Sequence, residues 1–382
     1  MIDRIVVTYQ YRGVDPVSIA EVIRVEQTIE FPRDLAPEWI QSDVVGKVEE
    51  ILSTSPHHHT ITISYNPDVA GAELPQLLNV LWGNASLFPG VKIIDLKLPE
   101  SILKLFKGPR FGVEGLRTIF GARNRPLLTT ALKPMGSDSK TLAKMAGTLA
   151  SAGFDMIKDD HSLANQPWSL WEERVALVSD AVNEANAKTG GKCVYAPSLN
   201  LRFDRVHTAA HRAKELGAGA LLVLPGITGF DSMRTLAEDD SLALPIQGHP
   251  SMLGSLVTSE SEGIAHGIIF GTISRLAGAD VTIFPNMGGR FSFSEEQCLE
   301  IKTAAQGELL HIKKIWIAPA GGMTIERVPE MINMYGLDTA LLIGGALSRG
   351  DLAGNAKKMF ETVQDISIYS KSEARSRPCG FV

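Results

Sequence analysis

From Leu127 onward one unit recurs eight times: a short apolar run ends in a polar residue or glycine, and an amphipathic stretch of about ten to twenty residues follows. The runs are Leu127–Leu132, Phe154–Ile157, Cys193–Pro197, Ala220–Leu224, Leu244–Ile246, Val281–Phe284, Ile315–Ala318 and Ala340–Ile343. Strands this continuously apolar need cover on both faces. Eight of them alternating with helices predict a closed (βα)8 TIM barrel. An open doubly wound sheet is the alternative; it ordinarily shows a GxGxxG turn after its first strand, and Lys133-Pro134-Met135-Gly136 is not one. Asp138–Ala152 illustrates the helical stretches. Leu142, Met145, Ala146 and Leu149 share one face, Ser137 or Asp138 can cap the start, and Gly153 can end it.

Residues 1–107 follow another pattern. Arg4–Tyr11, Thr60–Tyr65 and Val91–Leu96 read as strands, and Pro16–Glu26, Asp43–Leu52 and Leu74–Trp82 as helices. Their order is not that of a parallel sheet, so a small α+β ferredoxin-like domain is expected. It gives way at Gly108-Pro109 to a barrel domain of residues 108–382 that ends in a helical tail.

The formal charge of the 382 residues is −6, with no basic run, which leaves no electrostatic footprint for nucleic acid or an anionic membrane. Cys193, Cys298 and Cys379 are too sparse for a disulfide framework and suggest a reducing compartment. The N-terminus has charges at Asp3 and Arg4 and no apolar core with a cleavage site. The uncharged stretch from Ser241 to Ser259 is broken by Pro245, His249 and Pro250. A soluble cytoplasmic protein is expected.

A barrel carries its chemistry at the C-terminal ends of its strands. Those ends hold Lys133, then Lys158-Asp159-Asp160-His161, Ser198 and Asn200, Gln247 and His249, Asn286, and the doublets Gly321-Gly322 and Gly344-Gly345. Each has a plain structural explanation. A lone strand-end lysine is ordinarily solvated or ion-paired, Asp159 alternates away from its neighbours and can simply hold a loop, and glycine doublets are commonly turns. Their convergence on one face is what points to function. The last two strand ends are also where barrels often hold phosphate on backbone N–H groups. Other features weigh less. Strand alternation splits His57-His58-His59 between two faces. His207 and His211 are spaced to bind zinc from one helix, but the sequence places no third ligand nearby, so a solvated face is expected. Trp168 and Trp171 are expected to pack on the barrel.

These residues resemble a known family. Gly108-Pro109-Arg110-Phe111-Gly112, Arg125-Pro126-Leu127-Leu128, Lys133-Pro134, the run from Gly153 to Asp160, Asn165-Gln166-Pro167-Trp168 with Arg174, Pro319-Ala320-Gly321-Gly322 and Ile343-Gly344-Gly345 resemble the large subunit of ribulose-bisphosphate carboxylase. They more closely resemble the RuBisCO-like (type IV, non-photosynthetic) proteins that lack carboxylase activity. The resemblance implies a carbamate on Lys158 that, with Asp160 and the residue at position 161, holds Mg2+. It implies Lys133 as the proton-transfer group, His249 beside the substrate, and phosphate held by the glycine doublets with help from Arg290. Glu26 and Asn84 would reach the active site of the other subunit of a homodimer or larger assembly.

Departures from the family narrow the substrate. His161 stands where the family has a glutamate metal ligand, and imidazole suits hard Mg2+ less well. Met135, Pro250 and Ile283 replace a lysine, an arginine and a histidine. A second phosphate would lack charge compensation there, at a cost of about several kcal/mol. The expectation is therefore an enzyme that forms an enolate from a singly phosphorylated keto-sugar or keto-acid and does not fix CO2. Decarboxylation or transcarboxylation/hydrolysis of a 3-oxo-isoapionate 4-phosphate type substrate is placed first. Enolisation or isomerisation of a methylthioribulose-type phosphate is the alternative. A Schiff-base aldolase and a non-catalytic protein are the readings from other classes.

Overall fold

A computed structural model describes residues 3–291 and 293–376; Cys379 lies outside the described residues. Strands β1 (Ile5–Arg12), β2 (Lys47–Ser55), β3 (His58–Tyr65) and β4 (Val91–Lys97) form an antiparallel sheet in the order β4-β1-β3-β2, the ferredoxin-like arrangement. Alternate side chains Ile5, Val7 and Tyr9 of β1 and Ile61, Ile63 and Tyr65 of β3 are buried. They share a core with Ala20 and Ile23 of helix Pro16–Glu26 and with Leu77, Val80 and Leu81 of helix Leu74–Trp82.

The helix expected over Asp43–Leu52 is not formed; Lys47–Ser55 is the edge strand β2. The spacing misleads because of a register shift between Val48 and Glu50. It puts Val48 opposite Ile63 and Ile51 opposite Ile61. The extra residue lets two apolar side chains three positions apart share a sheet face, mimicking a helical period.

The remaining strands are β5 (Leu127–Leu132), β6 (Met156–Asp159), β7 (Val194–Ala196), β8 (Leu221–Val223), β9 (Ile246–Gly248), β10 (Gly263–Ile264), β11 (Val281–Pro285), β12 (Trp316–Ala320) and β13 (Ala340–Leu342). β10 extends the N-terminal sheet by pairing with β4. The other eight form two parallel four-strand arcs, β13-β5-β6-β7 and β8-β9-β11-β12. Bridges between Ser198 and Leu222 and between Ile317 and Thr339 join the arcs, closing the cylinder. Every one of the eight predicted runs overlaps one of these strands. Asp138 caps helix Ser139–Ser151 by accepting from the Thr141 N–H at 2.7 Å.

The barrel interior is mostly apolar. Leu127, Met156, Ala196, Leu222, Val281, Ile283, Trp316, Ala318 and Ala340 fill it, together with Val113, Leu116 and Phe120 of helix Gly112–Phe120. That helix plugs the end where the strands begin. Buried Asp280 anchors it, accepting from the N–H groups of Phe111 (2.8 Å), Gly112 (2.8 Å) and Ile246 (3.0 Å). Gly112 has φ +62°, and a Cβ there would lie 2.7 Å from the Lys314 carbonyl oxygen, so glycine is required. Among the described residues no helix is long and apolar enough to cross a membrane.

Removing the Asp280 carboxylate leaves three buried N–H groups unpaired, each costing about 1–3 kcal/mol. Asp280→Ala is expected to lower the unfolding free energy by about 3 kcal/mol or more in denaturant titrations. A loss under about 1 kcal/mol would mean that the plug is held otherwise.

Candidate active site

Strand alternation decides which polar groups face the barrel axis. β5 and β6 run in parallel with Thr129 beside Met156 and Ala131 beside Lys158, and Lys158 lies beside Ala196 of β7. Leu127 and Met156 point inward, so the same parity carries Lys133, Lys158 and Asp160 to the barrel mouth and turns Asp159 outward. Asp159 accordingly joins neighbouring elements. It accepts from Tyr195 Oη (2.7 Å), the Ser198 N–H (3.0 Å) and Arg174 Nε (3.2 Å), all buried. It supports the site without facing it.

At the mouth Lys133 Nζ donates to Asp160 Oδ2. Asp160 Oδ1 accepts from Ser162 Oγ (2.7 Å) and the Ser162 N–H (3.2 Å), which fixes the carboxylate. Lys158 is buried beneath, with Nζ 3.1 Å from the Asp159 carbonyl oxygen. His161 Nδ1 lies 3.3 Å from Asp160 Oδ1, and its ring stacks on His249 with centroids 4.7 Å apart and 14° between planes. Gly344 belongs to the same site, since a Cβ added there would touch Lys133 Cε at 3.7 Å. Five expected residues thus meet at one mouth, with Gly344 beside them: Lys133, Lys158, Asp160, His161 and His249.

The charges are unbalanced in a useful way. Burial lowers the Lys158 pKa to about 8, although Asp160 pulls it back up. Burial pushes the Asp160 carboxyl up, but hydrogen bonds from Lys133 and Ser162 and the charges of both lysines prevail and hold it well below the usual range. Burial also depresses both imidazoles, His249 strongly, and the lysine charges add to this. The backbone N–H of Ser251 donates to His249 Nδ1 at 3.2 Å, so in the neutral ring the proton sits on Nε2. His249 is therefore a neutral N–H donor at the mouth, suited to a developing oxyanion.

Other expected residues are placed differently. Gly321 and Gly322 have φ of +88° and +76°, and a Cβ on Gly289 would lie 2.2 Å from the Gly321 carbonyl oxygen. These glycines permit two loops to pack backbone on backbone, a role independent of any phosphate. A Cβ on Gly345 would meet open space. Arg290 stacks over Phe291, 5.6 Å from its ring centroid, and its charge reaches His161. In the N-terminal domain Asn84 Nδ2 donates to Glu26 Oε2 at 3.1 Å. Gln27 locks that pair in place by donating to the Asn79 and Val80 carbonyls and accepting from the Ala85 N–H.

Four expectations are corrected. Asn286 turns away from the mouth into the core, accepting from Tyr335 Oη at 2.7 Å beside Met323 and Met331. Gln247 points into the barrel beside Leu222 and Val281, below the mouth. Trp171 is buried and donates to the Ser198 carbonyl, whereas Trp168 is 46% exposed. His207 and His211 do have a third polar partner, Asp239. Sequence reading missed Ser162, Ser251 and Asp239. A serine two residues beyond a site residue is a weak signal for the first two, while Asp239 is brought in by tertiary packing alone.

Nitrogen-15 NMR of His249 should show a neutral ring protonated on Nε2 at pH 6. An imidazole titrating near its ordinary value of about 6.5 would contradict the buried, lysine-flanked geometry.

Comparison with known proteins places this site in context. The family model "Ribulose bisphosphate carboxylase large chain, catalytic domain" matches residues 112–358. The chain is 36% identical over 386 residues to the 5-methylthioribulose-1-phosphate isomerase of Rhodospirillum rubrum, covering 100% of both. It is 37% identical over 351 residues to ribulose bisphosphate carboxylase-like protein 1 of Rhodopseudomonas palustris, covering 91% of this chain and 93% of that protein. The crystal structure of a Rubisco-like protein from the same organism superposes with a TM-score of 0.84 at 36% identity, over 96% of this chain and 99% of that one.

Proposed function

Since this chain belongs to the RuBisCO large-chain family, in its non-carboxylating RuBisCO-like branch, we propose that it isomerises a ketose monophosphate of the 5-methylthioribulose 1-phosphate class. Within that branch it is an enzyme of phosphorylated keto-sugars. The decarboxylase placed first from the sequence gives way, because a relative similar along the whole of both chains is an isomerase. The observation that carries the reading lies beside Lys133. Met135, two residues past Lys133 and half-exposed, stands where a bisphosphate would need a cation, and half-exposed Phe291 packs against Gly321, which suits one phosphate and an apolar tail.

In this reading the carbonyl oxygen of the substrate faces His249 Nε2–H, and the phosphate lies on the N–H groups around Gly344 and Gly345 with Arg290 nearby. Lys133, in its amine form, takes the proton from the hydroxyl-bearing carbon next to the carbonyl and delivers a proton to the former carbonyl carbon, while the proton of that hydroxyl passes to the former carbonyl oxygen. Asp160 holds Lys133 in place between the two transfers. The family's divalent cation has donors available only after one change. With Lys158 as an ammonium, two lysines face one carboxylate and the mouth repels a dication. A neutral Lys158 amine can add to CO2, releasing one proton, and the resulting carbamate supplies an anionic oxygen beside Asp160 and His161. A cation so held would supply Lewis-acid stabilisation of the enediolate. The Glu26–Asn84 pair, flanked on its own segments by exposed Phe31, Leu35, Trp39 and Leu87, is the surface we assign to completing a partner's site in a homodimer.

Phosphorus NMR should show conversion of 5-methylthioribulose 1-phosphate. Ribulose bisphosphate should be left untouched, and no CO2 should be released from a phosphorylated 3-oxo acid. Lys133→Met is expected to cost roughly 10²–10⁴-fold in rate. CO2 release without isomerisation would restore the decarboxylase reading.

Carbamate formation is separately visible. With 13C-labelled CO2, a carbamate resonance should grow as pH rises through about 8, where Lys158 loses its proton, and should vanish in Lys158→Arg. A pH-independent signal retained in that variant would place the carbamate elsewhere.

A further inference from the structure

Outside the barrel wall, a second cluster of ligand-type side chains has no part in the chemistry above. Helix Phe203–Glu215, which follows β7, presents His207 and His211 one turn apart. Asp239 directly follows helix Phe230–Glu238, after β8. Both Nε2 atoms converge on one oxygen: His207 Nε2 lies 3.0 Å and His211 Nε2 2.8 Å from Asp239 Oδ2. All three ligand atoms lie within 4.8 Å of one another. The other carboxylate oxygen is already saturated. Asp239 Oδ1 accepts from Ser241 Oγ (2.6 Å), the Ser241 N–H (2.8 Å) and the Leu242 N–H (3.2 Å). Lys214 Nζ donates to the Ser241 and Leu242 carbonyls at 2.8 and 2.7 Å, holding the same turn without turning toward the ligand atoms. The carboxylate is thus fixed by groups that do not compete for Oδ2, as supporting residues do around metal ligands.

We propose that His207, His211 and Asp239 form a binding site for one divalent transition-metal ion of the zinc class, with water completing its coordination. Two imidazoles and one carboxylate are a donor set for zinc, cobalt or nickel, not for magnesium, so the site is distinct in chemistry from the one at the barrel mouth. In a tetrahedral zinc site with ligand bonds near 2.0–2.1 Å, neighbouring ligand atoms are roughly 3.3 Å apart. The observed separations from Oδ2 need to open by a few tenths of an ångström, and the two imidazole nitrogens, within 4.8 Å of each other, draw together by at most about 1.5 Å, both of them side-chain adjustments. Access is available, since the His207 and His211 side chains are 53% and 32% exposed while Asp239 is 16% exposed. An ion there staples the helix after β7 to the end of the helix after β8. Hydrogen bonds alone would serve the same purpose, with each imidazole donating from Nε2 to the carboxylate, and the experiment separates the two.

The full-length protein is stripped with a chelator, returned to buffer and dialysed against Zn2+. Wild type should bind one more zinc per chain than the His207→Ala/His211→Ala double variant, and Asp239→Asn should likewise lose that ion. Ser241→Ala, which frees the carboxylate, should weaken the site about tenfold. Zinc should raise the thermal midpoint of wild type and leave that of the double variant unmoved. Equal zinc stoichiometry and affinity in wild type and double variant would overturn the proposal and leave a hydrogen-bonded staple. Should the variants fail to fold, wild-type crystals soaked in Zn2+ decide the matter. An anomalous peak at the zinc edge between His207, His211 and Asp239 is expected, and its absence overturns the site.

Discussion

Asp160 stands between two lysines. It binds Lys133 on one side and lies close to buried Lys158 on the other, with Ser162 holding its second oxygen. One carboxylate compensates only part of two positive charges, one of which, Lys158, is buried. The surplus falls on the groups that can shed a proton or accept a negative ligand. Burial lowers the Lys158 pKa against the pull of Asp160, and the lysine charges add to burial in depressing both imidazoles. A mouth with positive surplus and a neutral N–H donor is suited to an anionic phosphate and to an enediolate. Each step of the proposed chemistry follows from this imbalance.

The imbalance exists because the barrel enforces it. Strand alternation brings Lys133, Lys158 and Asp160 to the axis and sends Asp159 outward into Arg174, Tyr195 and Ser198. Asp159 and Arg174 form a fully buried ion pair, and breaking such a pair by removing one partner costs about 3–5 kcal/mol. That pair and the Tyr195 contact tie β6 to β7 and the following helix, so the inward residues have little freedom to move. At the opposite end, Asp280 and the helix from Gly112 to Phe120 close the cylinder. The interior between is mostly apolar, with Thr129 and Gln247 as buried polar exceptions, so the charged groups gather at one end.

The barrel was legible because its strands are short, apolar and evenly interrupted, and their ends carry the polar residues. Lys133, Lys158, Asp160, His161 and His249 were readable for the same reason. The N-terminal domain was less so: the register shift after Val48 gave strand Lys47–Ser55 a helical apolar period. Asn286 and Gln247 sat at strand ends like the true mouth residues, but the sequence does not say which way the chain turns there. Gly321 and Gly322 match a phosphate cradle, and the close approach of Gly289 is a second reason for glycine at position 322. The partnership of Asp239 with His207 and His211 joins residues 32 and 28 positions apart, beyond the reach of local spacing.

The direct test of an enediolate formed at this mouth is hydrogen exchange at carbon. The enzyme is incubated in D2O with 5-methylthioribulose 1-phosphate, and recovered substrate and product are analysed by proton NMR and mass spectrometry. Deuterium entering at the carbon beside the carbonyl, at a rate that collapses in Lys133→Met, is the predicted result. Product free of solvent deuterium under all conditions, or exchange undiminished in Lys133→Met, would contradict proton transfer by this lysine.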